Sequence, residues 1–255
     1  MCVPIIRALR KDYPEIKTSI LTKTAYIDIF KEFEEANIIA IDLKRKHKGL
    51  FGLVKLYSEL KQTGINAVID LHGALRTNFL KFLWGKNFYQ IDKGRNEKKR
   101  LIKGQVFQQL KTTHQRYAEV FKNINLNLNL TNIGRPKKSN LSKYTITSKI
   151  DFTKKIIGIA PFAKHEAKTY PLEQMKEVIV NISKEHTVLL FGGGEKETKQ
   201  LKTISEKNEN VFSIVQPFSL NEQLDFISNL DLMISMDSAN GHLAAMYGIK
   251  VITIW

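Results

Sequence analysis

The sequence predicts an α/β protein made of two Rossmann-like domains with parallel sheets. Short apolar runs rich in β-branched residues alternate with helical patterns, which is typical of parallel strands joined by crossover helices. This alternation restarts after a polar stretch, 125–149, that is rich in Asn, Ser, Thr and Lys. Small polar turns follow several of the apolar runs, at the positions where open α/β sheets bind ligands. We therefore expect two sheets separated by a linker.

The first domain is predicted over 1–135 and opens on a helix at Val3–Lys11. The elements predicted after it are strands at Lys17–Thr22, Ile38–Leu43, Ala67–Leu71 and Phe88–Ile91, helices at Leu50–Gln62 and Leu75–Trp84, and a long amphipathic stretch at Lys98–Asn123. A doubly wound domain normally starts with a strand, and none precedes the first helix. The sequence is therefore expected to begin one strand late.

The linker is predicted over 136–152 and the second domain over 153–255. The elements predicted after the linker are strands at Lys155–Ala160, Thr187–Phe191, Val211–Val215, Asp231–Ser235 and Lys250–Ile254, and helices at Leu172–Lys184, Lys196–Lys207, Leu220–Asn229 and Ala239–Met246. The sequence stops at the last of these strands with no closing element behind it. Truncation is therefore expected at both ends.

The composition indicates an ordinary globular chain in a reducing compartment. The chain has 255 residues, of which 43% are hydrophobic, and no stretch approaches the roughly 18 apolar residues of a membrane span. The first ten residues lack the basic-then-apolar pattern of a secretion signal. The lone cysteine, Cys2, excludes an internal disulfide. A cytoplasmic location is therefore expected.

The formal net charge of +15 has three interpretations. A solvated lysine surface is the simplest, in a chain that is also rich in Asn and Ile. Attraction to phosphates, in a substrate or on an anionic membrane face, is the second. Nucleic-acid binding is the third, but the basic residues are dispersed and no aromatic platform or known reader motif accompanies them. We therefore expect no nucleic-acid partner, although charge alone does not choose between the other two.

The most informative segment is 237–242, which follows a predicted buried strand and begins a predicted helix. Asp237 or Ser238 can cap this helix, and the small residues Ala239 and Gly241 let a ligand approach the N–H groups of its first turn. His242 stands at the end of that turn and can donate to a phosphate or sugar oxygen. A plain helix cap with a packed histidine is the alternative.

Four other segments follow predicted strands in the same way. The loop 161–171 carries Lys168, which could neutralise a departing diphosphate or could be an ordinary surface lysine. Gly193 lies in a glycine-rich turn that lacks both the dinucleotide fingerprint and the P-loop lysine, so a tight turn is the favoured interpretation. Glu222 completes a capping box, although it could also reach a ribose. Arg76 could meet an anionic acceptor, but a surface role is the simpler interpretation.

A metal site is not predicted. The six histidines form no pair spaced by four residues, and the cysteine lies near none of them. No cofactor is expected either.

With these motifs in view, the chain resembles the heptosyltransferase-type glycosyltransferases of carbohydrate-active family 9. Residues 237–245 are similar to the family's Asp-Ser/Thr-Gly-x-x-His-Leu-x-Ala signature, with Ala239 where glycine is common. The loop from Pro161 through Lys168 to Pro171 is similar to its Pro-(small residues)-Lys-x-aromatic-Pro loop, and residues 3–14 resemble the helix after its first strand. The resemblance extends along essentially the whole chain.

The resemblance implies a GT-B enzyme that transfers a sugar from a nucleotide diphosphate with inversion and without a metal. It implies that the donor-binding residues are Lys168, Asp237, Ser238, Ala239, Gly241 and His242, with Gly193 and Glu222 as further candidates and Arg76 as a candidate for the acceptor. The family's catalytic aspartate lies in the loop after its first strand, which would be upstream of Met1. No catalytic residue is therefore expected within this chain, and the chain alone is expected to be inactive.

The expected donor is ADP-heptose, and the expected acceptor is an anionic lipid-linked saccharide of the lipopolysaccharide core. Such an acceptor implies a peripheral contact with the inner face of the inner membrane. Two alternatives stay open at this point: a nucleotide-sugar epimerase of similar two-domain architecture, and a basic module that binds an anionic surface. An epimerase would need no acceptor, and a binding module would not respond to ADP-sugars.

Overall fold

The computed structural model describes residues 1–254, apart from the side chain of Glu166. Trp255, the last residue of the predicted second domain, lies outside the described residues. The chain divides into two compact units, Met1–Gly134 and a second unit that begins at Arg135. Each described strand pairs in parallel with its neighbours, so the predicted α/β class with parallel sheets is confirmed.

The first unit contains two parallel strand pairs, β1 with β2 and β3 with β4. Its elements are α1 (Val3–Asp12), β1 (Ser19–Lys23), a 3₁₀ helix (Thr24–Phe30), β2 (Asn37–Ile41), α2 (Gly49–Gln62), β3 (Val68–Asp70), α3 (Leu75–Trp84), β4 (Phe88–Gln90), α4 (Arg95–Ile102) and α5 (Thr113–Lys122). The two pairs belong to separate sheets within the described residues, whereas the sequence suggested one alternating domain.

Two apolar clusters hold the first unit together. Leu56 and Trp84 belong to a cluster in which the buried faces of α2 and α3 pack against β4. Ile5 and Tyr117 belong to the other, between α1 and α5. The spacing of buried residues along each helix matches the 3.6-residue period, which is why these helices could be predicted from sequence.

The long amphipathic stretch at 98–123 is divided into α4 and α5. Gly104 adopts a left-handed conformation with φ +67 after α4, which an L-residue with a side chain rarely adopts. Thr112 then caps α5 by accepting a 3.2 Å hydrogen bond from the N–H of Gln115. The periodicity of the two helices is similar, so the sequence pattern did not separate them.

The second unit is one five-stranded parallel sheet in the order β7-β6-β5-β8-β9. Its elements are a 3₁₀ helix (Thr145–Lys149), β5 (Ile156–Ala160), a second 3₁₀ helix (Glu166–Lys168), α6 (Leu172–Ser183), β6 (Thr187–Leu190), α7 (Glu195–Glu206), β7 (Val211–Ser213), α8 (Leu220–Ile227), β8 (Leu232–Met236), α9 (Ala239–Met246) and β9 (Lys250–Ile254). All five residues of β5 are buried, as expected for a central strand covered on both faces.

The segment 136–152, predicted as a linker, is mostly irregular but packs on the second unit. Leu141, Tyr144 and Ile150 are buried. The hydroxyl of Tyr144 donates a 2.8 Å hydrogen bond to the Asp225 carboxylate on α8. This segment therefore contributes to the core of the unit that follows it.

Among the helices within residues 1–254, none is long and apolar enough to cross a lipid bilayer.

Candidate functional site

The strand order of the second unit defines a particular edge of its sheet. Chain connectivity runs outward from β5 through β6 to β7 on one side, and from β8 to β9 on the other. The direction of winding therefore reverses between β5 and β8, which pair through Ala160 and Ser235 at their carboxyl ends. In open α/β sheets this reversal point is where a crevice for ligands forms. The loop carrying Lys168 follows β5, and Asp237 follows β8.

Lys168 and Asp237 meet across this point. The Lys168 ammonium donates a hydrogen bond to the Asp237 carboxylate, and the two side chains are 41% and 24% exposed. That hydrogen bond, together with the positive charge of Lys168, holds the pKa of Asp237 below its ordinary value, and His242 acts in the same direction. Both charges are accessible to a ligand, and His242 is exposed beside them.

The N-terminus of α9 lacks the cap that its sequence suggested. Ser238 occupies the N-cap position in an extended conformation, but its side chain makes no capping hydrogen bond. Within the described residues, its Oγ atom is buried and has no hydrogen-bond partner. The first N–H groups of a helix have no partner within the helix, and an anion can satisfy them. The absence of a side-chain cap leaves the N–H groups of the first turn to be satisfied by an anion such as phosphate.

A comparison with α8 shows how a serine at the N-cap position can cap a helix in this chain. Ser219 caps α8 in the usual way, since its Oγ accepts from the N–H of Glu222 at 3.3 Å. The Glu222 carboxylate in turn accepts from the Ser219 N–H at 2.7 Å and from its hydroxyl at 2.8 Å. These bonds lower the pKa of Glu222. Glu222 therefore has a capping role in this structure, as the simpler interpretation of the sequence held.

Gly241 faces the sheet rather than the open edge. A Cβ atom at this position would lie 2.5 Å from Ser235 Oγ and 3.5 Å from Val251 Cγ1. Ser235 is fully buried, and its hydroxyl has no hydrogen-bond partner within the described residues. Glycine at position 241 thus allows close packing of α9 against β8. This is in addition to the ligand approach that the sequence suggested.

This contact predicts a coupled pair of substitutions. Gly241→Ala should cost about 1–3 kcal/mol, because the new methyl group overlaps a buried hydroxyl. Ser235→Ala should be neutral or stabilising by about 1 kcal/mol, because it removes an unsatisfied polar group. Urea unfolding of the two single variants and the double variant measures the coupling. If Ser235→Ala does not relieve the cost of Gly241→Ala, the close contact is not the cause.

Gly193 and Arg76 are the other two residues that the sequence suggested for the site. The N–H of Gly193 donates to the Glu197 carboxylate at 2.8 Å, so the glycine-rich turn is closed by its own helix. Arg76 is exposed near the start of α3, after β3. Asp70, at the end of β3, accepts from the N–H groups of His72 at 2.8 Å and Gly73 at 3.0 Å. This segment therefore forms a rigid turn that leaves Arg76 in solvent.

The pKa of Asp70 reflects the hydrogen bonds that its carboxylate accepts. Burial would raise this pKa, but hydrogen bonds from Thr77 and Gln90 and from the turn N–H groups outweigh burial, so the pKa lies below its ordinary value. Asp70 therefore remains ionised, and its carboxylate oxygen atoms accept the hydrogen bonds that hold the turn.

The buried carboxylate of Asp225 was not predicted from the sequence. It is 2% exposed, and it accepts from the hydroxyls of Ser139 at 2.7 Å and Tyr144 at 2.8 Å. The Lys143 ammonium lies 2.8 Å away. The available signal was an acidic residue flanked by Leu224 and Phe226 on the apolar side of a predicted helix. Its role is to fasten the irregular segment 136–152 to α8.

Among residues 1–254, no three side chains of His, Cys, Asp and Glu come together as a metal ion would require. Metal-independent chemistry is still only a prediction for this protein.

The fold and the site together define a class of protein: an α/β protein with an uncapped helix N-terminus and a cation at the reversal point of its sheet. This combination suits ligands that contain phosphate.

A comparison with known families identifies the chain more closely. The family described as Glycosyltransferase family 9 (heptosyltransferase) matches residues 53–255, more than half of the sequence. The chain belongs to glycosyltransferase family 9, and it is a glycosyltransferase.

Curated relatives and solved structures agree with this assignment. The chain is 24% identical over 268 residues to a protein named lipooligosaccharide heptosyltransferase 2, from Campylobacter jejuni subsp. jejuni serotype O:6, covering 100% of this chain and 77% of that protein. A family 9 glycosyl transferase from Veillonella parvula superimposes with a TM-score of 0.74 at 16% identity, covering 98% of this chain and 74% of the other.

The E. coli heptosyltransferase WaaC, solved with ADP-2-deoxy-2-fluoro heptose, superimposes with a TM-score of 0.70 at 17% identity and covers 98% of this chain and 82% of the other. These likenesses show the fold, and the predicted GT-B type is confirmed.

Proposed function

We propose that this protein transfers a heptose from ADP-heptose to an anionic, lipid-linked saccharide of the lipopolysaccharide-core type. The observation that carries the proposal is the uncapped N-terminus of α9 beside the Lys168–Asp237 pair. Names of similar proteins support the choice of sugar and acceptor, since the curated relative is named a lipooligosaccharide heptosyltransferase and WaaC was solved with an ADP-heptose analogue.

The donor diphosphate would lie over the first turn of α9. The N–H groups of that turn and the Ser238 hydroxyl would donate to phosphate oxygens, and Lys168 would supply a positive charge from the loop after β5. The exposed His242 would reach a phosphate or a sugar hydroxyl from the same helix. Asp237, held as a carboxylate by Lys168, would accept hydrogen bonds from the hydroxyls of the sugar.

The reaction would be a displacement with inversion at the anomeric carbon. The acceptor oxygen forms a new bond to this carbon and gives its proton to a carboxylate acting as general base, while the bond from the carbon to the diphosphate oxygen breaks and the diphosphate leaves with the electron pair. Negative charge grows on the departing diphosphate in the transition state. Lys168 and the α9 N–H groups would stabilise that charge, and electrostatic stabilisation of this kind is usually the largest single contribution to catalysis. The proposal needs no metal for this stabilisation.

Family membership favours this proposal over the two alternatives from sequence. An epimerase would leave a nucleotide-linked isomer with no acceptor, and a basic binding module would not respond to ADP-sugars. The acceptor would place the protein in the cytoplasm, at the inner face of the inner membrane.

Isothermal titration calorimetry tests the donor proposal on the chain as it stands. We expect ADP and ADP-heptose to bind in buffer containing EDTA, and UDP-N-acetylglucosamine to bind more weakly. Random-sequence DNA at the same ionic strength is the control for non-specific attraction to a basic chain. No heat with either adenine nucleotide, or an equal response to DNA, would contradict the proposal.

A further inference from the structure

The positive charge of this protein is concentrated in its first unit. Residues 1–134 contain 24 Lys and Arg against 12 Asp and Glu, whereas the rest of the chain contains 16 against 13. Four-fifths of the net charge of +15 therefore belongs to the unit that does not contain the candidate donor site. A donor diphosphate does not account for this distribution.

Within the first unit, α4 is the most cationic element. None of its eight residues is buried, and all of them lie in the described part of the chain. A hydrogen bond joins α4 to α5: Arg116 of α5, which is 5% exposed, donates a 2.6 Å hydrogen bond to the Glu97 carboxylate. A side chain at Gly94 would overlap the same guanidinium group, which keeps the start of α4 close to α5.

The opposite face of α4 is directed to solvent. Successive helix residues are rotated by about 100°, so the residues lying away from Glu97 are Arg95, Lys98, Lys99 and Ile102. All four are exposed, and Ile102 is 85% exposed. Ile102 is thus a solvent-exposed apolar side chain on the same helix face as three cationic side chains. Phe107, in the loop that follows, is fully exposed.

A second segment of the same unit repeats this pattern. Residues 44–48, before α2, include four exposed Lys and Arg. The first turn of α2 then presents Leu50 and Phe51 to solvent, with Phe51 93% exposed. His47 anchors this segment, because it is buried and contacts the Glu59 carboxylate at 3.1 Å. Exposed large apolar side chains beside exposed cations match a partner that offers both negative charge and an apolar layer.

We propose that 44–51 and 95–107 form a membrane-docking surface for bilayers rich in anionic lipid. The cations would lie at the level of the lipid phosphates, and Phe51, Ile102 and Phe107 would enter the boundary between headgroups and acyl chains. An anionic bilayer surface satisfies both features, since it offers a dense negative charge and an apolar layer a few ångströms below it. This proposal goes beyond the transfer reaction and does not depend on the identity of the donor.

Vesicle co-sedimentation tests the docking surface. We expect the protein to bind vesicles of phosphatidylglycerol and phosphatidylcholine, to bind pure phosphatidylcholine weakly, and to dissociate as salt is raised. Replacing Arg95, Lys98 and Lys99 by Gln should weaken binding on the order of a hundredfold. Phe51→Ser with Phe107→Ser should weaken binding on the order of tenfold or more and leave the salt dependence unchanged.

Matched controls come from the second unit. Replacing Lys196, Lys199 and Lys202 by Gln removes the same charge from α7, and Phe152→Ser removes an exposed aromatic residue. Both controls should bind vesicles as the unaltered protein does. All variants should keep their circular dichroism spectrum and their ADP affinity, so a failure of vesicle binding is distinguishable from a failure of the proposed function.

Three outcomes would overturn the proposal. The first is no preference for anionic vesicles. The second is an equal loss in the α7 control, which would mean that net charge and not this surface is responsible. The third is displacement from vesicles by single-stranded RNA that binds more tightly at the same salt concentration, which would make a nucleic acid the partner.

Discussion

Lys168→Met is expected to weaken ADP binding by roughly tenfold to a hundredfold, the range for one charge-assisted hydrogen bond to a charged group. The substitution keeps the length of the side chain and removes its charge. It also leaves the Asp237 carboxylate without the ammonium that it contacts in the structure, so that carboxylate would repel the diphosphate. Calorimetric titration with ADP measures the change.

Two further variants make this result specific. Lys164→Met removes an exposed lysine from the same loop and should leave the ADP affinity unchanged. Lys168→Met combined with Asp237→Asn should recover part of the loss, because the repulsion is removed. Equal affinities for the Lys168→Met variant and the unaltered protein would show that Lys168 does not contact the phosphates.

Asp225→Ala is expected to lower the free energy of unfolding of the second unit by about 3 kcal/mol or more, as for removal of a buried charged partner. The hydroxyls of Ser139 and Tyr144 would lose their acceptor. The Tyr144 ring would also lose the contact that fixes it against Phe226, whose ring centroid is 4.9 Å away. Urea unfolding followed by tyrosine fluorescence and circular dichroism measures the loss.

The control for this substitution lies on the same helix. Glu222→Ala removes a partly exposed carboxylate that caps α8, so a smaller loss of about 1 kcal/mol is expected. Tyr144→Phe removes a single hydrogen bond to Asp225 and should cost about 1 kcal/mol while the ring packing persists. If Asp225→Ala were no more costly than Glu222→Ala, the buried network would not fasten the segment 136–152.

Periodicity and turn residues predicted most of the regular structure. Leu75–Trp84, Ala239–Met246 and Lys250–Ile254 have the bounds expected from their patterns. Patterns of this kind report local burial, which a helix or a strand repeats at a fixed period. The division of 98–123 into α4 and α5 depends on the backbone conformation of Gly104, and a period shared by both helices cannot reveal it.

At the candidate site, too, local sequence patterns predicted some features and could not predict others. Lys168 and Asp237 could be placed at one edge of the sheet, because both follow parallel strands. The packing of Gly241 against Ser235 and the network around Asp225 depend on residues from other elements. Ser139 and Tyr144 are more than 80 positions away from Asp225 in the sequence. Such contacts depend on tertiary structure, and no local pattern encodes them.

The burial of Tyr144 also determines where the protein can be divided. A separately expressed second half that starts at residue 153 would lack the aromatic ring that packs against Phe218 and Phe226, and it would uncover the Asp225 carboxylate. A piece that starts at Arg135 keeps this ring and its hydrogen bond. Limited proteolysis should accordingly cut near residue 134 and spare the peptide bonds around Tyr144.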